Sequence, residues 1–239
     1  MSGQARRVAL HAPTFGEEEA EAAAAVIRSG MVTSGDRVKE FERAFAAKYG
    51  FRHAVMANSG SSANLLAWSA LRSPLREERA LRDGEVIVPA VAWSTSIWPV
   101  IQVGLLPVVV DVDESDWNMD VAATRRALET SRWLEVALAP IHVYGAPADL
   151  SGLSSVASGP PALSVVEDAC EAQGTPGVGR LGAVTTFSLY FSHAMTTLEG
   201  GVACTDDDEI ADVMRVQRAH GWLRDVDVDR PLWKSDAPD

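Results

Sequence analysis

The amino-acid sequence predicts an α/β fold: a mostly parallel central sheet with helices on both of its faces. Two patterns carry that expectation. From His53 onward, short apolar runs alternate with segments of helical periodicity, as expected of strands linked by crossover helices. Those runs are continuous rather than alternating, as in Val86-Ile87-Val88 and Val108-Val109-Val110, and a continuously apolar strand is one buried on both faces.

The elements follow in order. Thr14 and Glu17 form a T-x-x-E capping box ahead of an alanine-rich helix that Gly30 closes. A second helix begins near 34–36. Val38, Phe41, Phe45 and Tyr49 recur on one face of it and Gly50 ends it. Strands are expected at 53–58, 85–89, 106–111, 136–142, 163–168, 185–189 and 201–204, with helices at 61–71, 94–102 and 121–130. A closing helix runs from a Thr205 cap to His220, with Gly221 after it, and 225–239 is acidic, proline-containing and aperiodic.

Composition removes several classes of function. The 33 acidic residues against 21 basic ones give a formal net charge of -12, and no basic stripe suits nucleic acid or an anionic membrane. Two cysteines, Cys170 and Cys204, exclude a disulfide framework and a four-cysteine cluster within the chain, and no metal site is expected. The start carries Arg6 and Arg7 without the apolar core of a signal peptide. The longest apolar stretch, 97–110, contains Gln102, Gly104, Pro99 and Pro107 and falls short of the roughly 20 residues of a membrane helix. A reducing cytoplasm is the expected compartment.

In such a sheet ligands gather beyond the carboxyl ends of the strands, so the residues after each strand matter. After the first comes Asn58-Ser59-Gly60-Ser61-Ser62-Ala63-Asn64. A Gly-Ser-Ser turn opening a helix is either a phosphate cup or a serine-rich cap. After the second, Trp93 is either a ring that stacks on a planar ligand or a core tryptophan. Asp168, in Glu167-Asp168-Ala169-Cys170-Glu171, is either the partner of a buried cation such as a protonated pyridine nitrogen or an N-cap. Ser188 to Gly201 holds a single histidine, His193, among hydroxyls and ahead of Glu199-Gly200-Gly201. It is either a functional imidazole or a satisfied structural one.

In this order the signals resemble the DegT/DnrJ/StrS family of nucleotide-sugar aminotransferases, which are fold-type I pyridoxal phosphate enzymes. The resemblance runs from about Pro13 to Arg224. It includes S-G-x-x-V-x-x-F-E at Ser34–Glu42, N-S-G-S-S-A-N, V-P-A-V-A-W ending at Trp93, His142-Val143-Tyr144-Gly145 before Asp149, the E-D-A pattern and the E-G-G ending. It implies an N-terminal arm and helix at 1–33, a cofactor-binding large domain at 34–224, and a tail at 225–239 where a small C-terminal domain, missing here, would begin. It implies that Gly60 and Ser61 form the phosphate cup with Ser188 as a second phosphate ligand. Trp93 becomes the stacking aromatic and Asp168 the pyridinium partner. Glu171 stands where many members have a glutamine near the cofactor's ring oxygen, and His142 and Tyr144 line the pocket floor. A homodimer is implied as well.

One departure decides the chemistry. Most members have a lysine at the end of F-S-x-x-x-x-K, and here that position is His193. The chain has three lysines, Lys39, Lys48 and Lys234, none of them placed to hold the cofactor. A histidine resembles the branch of sugar 3-dehydratases that use pyridoxamine phosphate, and imidazole suits proton transfer near neutral pH. In part of that branch a second histidine follows, and here Ala194 does. The resemblance thus implies 3-dehydration of a nucleotide-linked 4-keto-6-deoxysugar, with glutamate recharging the cofactor, in dideoxysugar or polysaccharide (O-antigen) biosynthesis. The alternatives are amino transfer to a nucleotide-linked keto-sugar and a truncated, non-catalytic cofactor-binding protein.

Overall fold

The computed structural model describes residues 15–133, 135–158, 163–230 and 233. Its strands are β1 (His53–Ala57), β2 (Glu85–Pro89), β3 (Leu106–Val110), β4 (Val136–Leu138), β5 (Ser164–Asp168), β6 (Val184–Ser188) and β7 (Gly201–Thr205). They form one sheet in the order β1-β7-β6-β5-β4-β2-β3. Pairings from β3 to β6 are parallel, and β7 is antiparallel to both of its neighbours. The segment between β6 and β7 contains no helix, and a chain that returns without a crossover helix pairs antiparallel.

Helices α1 (Glu17–Ser29), α2 (Asp36–Tyr49), α3 (Gly60–Leu71), α4 (Ser94–Gln102), α5 (Val121–Thr130), α6 (Leu150–Ala157) and α7 (Asp208–Arg218) surround the sheet. Alternate side chains of each strand feed opposite faces. Val55, Val86, Val88, Val166, Val184 and Ala203 pack with Ala63, Trp68, Val100 and Met214 from α3, α4 and α7. On the other face, Ile87, Leu138 and Val165 meet Ala123 and Leu153 from α5 and α6. Ala54, Phe187 and Val202 meet Phe45 from α2 on that same face. Pro107 sits in β3, at the sheet edge, where a missing N–H is best tolerated.

Several expected boundaries shift. The strand expected at 136–142 stops at Leu138; the chain continues through Pro140, and Ile141 makes only an isolated bridge to Asp168. The Pro140 carbonyl still accepts the Asp168 N–H at 2.9 Å. Thr205 ends β7 rather than capping the last helix. Asp207 is that cap, accepting from the amides of Glu209 and Ile210, because an aspartate two residues on reaches both N–H groups. Helix α6 was not anticipated. Its eight residues are too few for a periodic signal, although Asp149 caps it by accepting the Gly152 N–H at 2.9 Å. The first helix starts at Glu17, with Glu19 accepting the Gly16 N–H at 2.6 Å. Thr14 and Lys234 lie outside the described residues.

At the end of β5 two carboxylates follow one another, and the pleat sends them to opposite faces. Glu167 is fully buried. Its Oε1 accepts the amides of Leu181 and Gly182 at 2.7 and 2.6 Å, and its Oε2 accepts the Gly179 amide at 2.9 Å and meets His142 Nε2 at 3.1 Å. The Ala148 N–H donates to His142 Nδ1 at 3.1 Å, so Nε2 is the donor to Glu167. Burial pushes the Glu167 carboxyl up, but the His142 hydrogen bond and the amides of Gly182 and Gly179 outweigh it and hold it below the ordinary value of 4.5.

A carboxyl lowered in the folded state contributes stability that is complete above its unfolded value and is lost as pH falls through its folded value. Glu167→Ala should therefore cost about 3–5 kcal/mol at neutral pH, since it strands His142 and three buried amides. In urea titrations the gap between wild type and variant should narrow as pH falls below 4.5. A gap that stays constant with pH would contradict this.

Candidate functional site

The second carboxylate, Asp168, faces the other way, toward α3 and α4. It is 7% exposed. Its Oδ2 accepts Asn64 Nδ2 at 2.9 Å and Ser96 Oγ at 2.6 Å, and its Oδ1 accepts the Cys170 N–H at 3.1 Å. No helix follows Asp168, so the N-cap alternative falls. The carboxylate instead forms the wall of a cavity of about 640 Å3 at the carboxyl edge of the sheet.

Of the residues singled out from the sequence, Gly60, Ser61, Trp93, Tyr144, Asp168, Glu171, Ser188 and His193 line that cavity and His142 does not. Gly60 and Ser61 open α3 behind an extended Ser59, whose hydroxyl accepts the Ser62 N–H at 3.1 Å while its carbonyl accepts the Ala63 N–H at 2.9 Å. The amides of Gly60 and Ser61, at the first two helical positions, have no acceptor within the helix. Together with the helix dipole and the buried Ser188 hydroxyl they make a cup for an anion. The cup is tight. A β-carbon on Gly60 would lie 2.8 Å from Ser188 Cβ and 3.0 Å from Cys170 Sγ, and one on Gly201 would collide with the Ser59 carbonyl. Gly201, the first residue of β7, pairs with both Ala57 and Ser188, and this explains its place in the E-G-G ending.

Trp93 is 75% exposed at the cavity mouth, which rules out the core alternative. It precedes α4, whose Ser96 bonds Asp168. Opposite, Tyr144 is 84% exposed and holds a left-handed backbone with φ 52°. Its N–H donates to Glu171 Oε2 at 2.7 Å, and this bond helps fix a conformation that costs a non-glycine residue about 1–2 kcal/mol. The chain from Leu189 to Gly200 is a closed excursion. Leu189 N–H donates to the Gly200 carbonyl at 2.9 Å, and the Leu189 carbonyl takes the Thr197 N–H at 3.1 Å and the Thr196 hydroxyl at 3.0 Å. His193 rides on it, its N–H donating to Tyr190 at 3.0 Å and its ring edge-on to the Tyr190 ring at 6.3 Å.

His142 is a correction. It has no exposed surface and does not line the cavity; it stands behind the wall, tying Glu167 to the Ala148 backbone. Asn64 and Ser96 were missed, because one polar residue on an apolar helix face carries no pattern until its partner is known. Tyr190, Ser192 and Glu199 also line the cavity. Burial, and then the neighbouring Asp168 charge, push the Cys170 thiol well above its usual range, so it stays protonated. Among the described residues no group of three or more His, Cys, Asp or Glu side chains could hold a metal ion. A second hollow of about 350 Å3 lies between α2, β1 and α7. It holds Lys39, ion-paired with Asp225 at 3.0 Å. Lys48 lies over the Tyr49 ring. Neither lysine is among the residues that line the larger cavity.

Residues 13–235 match the sequence profile of the DegT/DnrJ/EryC1/StrS aminotransferase family. The GDP-4-keto-6-deoxy-D-mannose 3-dehydratase of Yersinia pseudotuberculosis is 36% identical over 221 residues, covering 91% of this chain and 55% of that protein. The structure of the E. coli GDP-4-keto-6-deoxy-D-mannose-3-dehydratase with bound hydrated PLP superposes with a TM-score of 0.84 at 35% identity, covering 92% of this chain and 57% of that one. A GDP-4-keto-6-deoxymannose-3-dehydratase with a trapped PLP-glutamate geminal diamine gives 0.86 at 34% identity, covering 96% and 60%. The chain thus spans a little over half the length of these relatives. Among the described residues no helix is long and apolar enough to cross a membrane.

The close approach at the cup is open to test. Gly201→Ala should lower unfolding stability by about 1–3 kcal/mol, read by urea denaturation, because neither backbone can yield without opening the sheet. An unchanged midpoint would show that the turn is loose.

Proposed function

The chain belongs to the DegT/DnrJ/EryC1/StrS aminotransferase family, and we propose that it is the cofactor-binding part of an enzyme that uses pyridoxamine phosphate to remove the C3 hydroxyl of a nucleotide-linked 4-keto-6-deoxysugar. The observation that carries this reading is His193: an imidazole lines the cavity at the sequence position where an amino-transferring relative has its lysine. Its support is the fit of the residues to the cofactor: an anion cup, an exposed indole and a buried carboxylate on one cavity.

The cofactor, when bound, supplies an electron sink conjugated to the reacting carbon. The rest falls to the chain. Gly60, Ser61 and Ser188 would hold the phosphate, Trp93 would stack on the ring, Asp168 would meet the ring N–H, and Glu171 would serve the ring oxygen. His193 would take a proton from the cofactor's methylene carbon and deliver one to the departing C3 hydroxyl, which would leave as water. The two electrons that turn C3–OH into C3–H come from glutamate, which ends as 2-oxoglutarate and ammonia.

Residues 34–224 form the domain that carries this site, between an arm at 1–33 and a tail at 225–239. A homodimer is part of the proposal. Helix α1 has no buried residue and is followed by exposed Met31 and Val32, and Trp93 and Tyr144 are bare at the cavity mouth; a second subunit would cover such surfaces. A cytoplasmic location follows from the nucleotide-sugar substrate.

Borohydride reduction in the presence of pyridoxal phosphate should leave no cofactor on the wild-type chain by mass spectrometry, whereas His193→Lys should carry it at residue 193. With glutamate and GDP-4-keto-6-deoxymannose, wild type should form the 3-deoxy sugar. His193→Asn should form it about 10²–10⁴-fold more slowly while keeping the cofactor bound. An aminated sugar from the wild type would replace dehydration by amino transfer, and cofactor binding without either product would favour the non-catalytic reading.

A further inference from the structure

We propose that Asn64, locked by the Thr186 hydroxyl, is a positioning residue that orients Asp168 so that its Oδ1 receives the cofactor's ring N–H and keeps the proton on the ring. The proposal rests on the cofactor reading above and deepens it.

The geometry leaves little freedom. Asp168 and Thr186 are register partners on adjacent parallel strands, and Asn64 lies above them, 2% exposed, on the second turn of α3. Asn64 Nδ2 donates to Asp168 Oδ2 at 2.9 Å and to the Thr95 carbonyl at 3.3 Å. Thr186, with no exposed surface, donates its hydroxyl to Asn64 Oδ1 at 2.6 Å. Turning the amide over would set its oxygen against a carbonyl and a carboxylate, two acceptors with no proton between them. These two acceptors therefore select one orientation of the amide, and the Thr186 hydroxyl, which also lies 3.3 Å from the Glu167 carbonyl, fits it by donating to Asn64 Oδ1.

A carboxylate has about four acceptor positions, two on each oxygen. On Asp168 Oδ2 both are filled, by Asn64 and Ser96; on Oδ1 one is filled, by the Cys170 amide. The Cys170 thiol also bonds this carboxylate, but it is a weak donor that yields to a ring N–H, for which Oδ1 has room. The carboxylate thus turns an acceptor, and no donor, toward the cavity, which suits a ring that carries its proton on the nitrogen. Neither Asn64 nor Thr186 lines the cavity. Both act through Asp168.

The test uses pyridoxal phosphate labelled with ¹⁵N in the ring, bound at neutral pH and read by NMR, with affinity measured from absorbance. Wild type should show the protonated-pyridinium shift. Asn64→Ala should move the signal toward neutral pyridine and weaken binding roughly ten- to hundredfold, the loss of a hydrogen bond to a charged group. Thr186→Val, close in shape, should move the signal the same way, and Thr186→Ser should restore it. A wild-type signal retained in Asn64→Ala and Thr186→Val, each folded by circular dichroism, overturns the proposal. Should Asn64→Ala not fold, the Val and Ser pair at 186 decides alone. A wild type that binds no pyridoxal phosphate would sink the cofactor reading instead, a separate outcome.

Discussion

Two consecutive carboxylates at the end of β5 organise this molecule. A strand sends neighbouring side chains to opposite faces, so Glu167 and Asp168 are buried on the two sides of one sheet, and each needs its own donors. Glu167 gathers His142 and the amides of 179–182, which fixes the loop leading into β6. Asp168 gathers Asn64, Ser96 and the Cys170 amide, which pins α3 and α4 to the same strand end. One face of the pair is structural scaffolding and the other is a cavity wall.

The anion cup depends on the same pinning. Because Asn64 is bound to Asp168, the first turn of α3 is held above β5 and β6, where Gly60 presses on Ser188 and Cys170. Glycine at 201 lets β7 come close enough to Ser59 to keep that turn narrow. The cup and the carboxylate are therefore tied to one another through α3. A site that holds a ligand without a covalent link draws its affinity from preorganised contacts of this kind.

The antiparallel β7 gives the excursion its role. A crossover helix between β6 and β7 would have carried residues 189–200 over the sheet face. The direct return instead leaves them at the carboxyl edge, closed by the Leu189 and Gly200 hydrogen bond, with His193 facing the cavity. Chain topology thus brings the histidine to the site.

Sequence alone determined the layered α/β class, most strands and helices, and many of the residues that meet at the cavity. Apolar continuity, glycine and capping residues are local signals, and motif spacing survives folding. It also contained the missing lysine, which is an absence any reader can count. What it did not contain was contact. Whether Trp93 lay in the core or at the mouth, whether Asp168 capped a helix or faced a cavity, and that His142 stands behind the wall were each settled by which strand edge lay next to which helix. Asn64, Ser96 and Thr186 became legible only then, because a buried polar residue has meaning through its partner, and these partners lie far away along the chain.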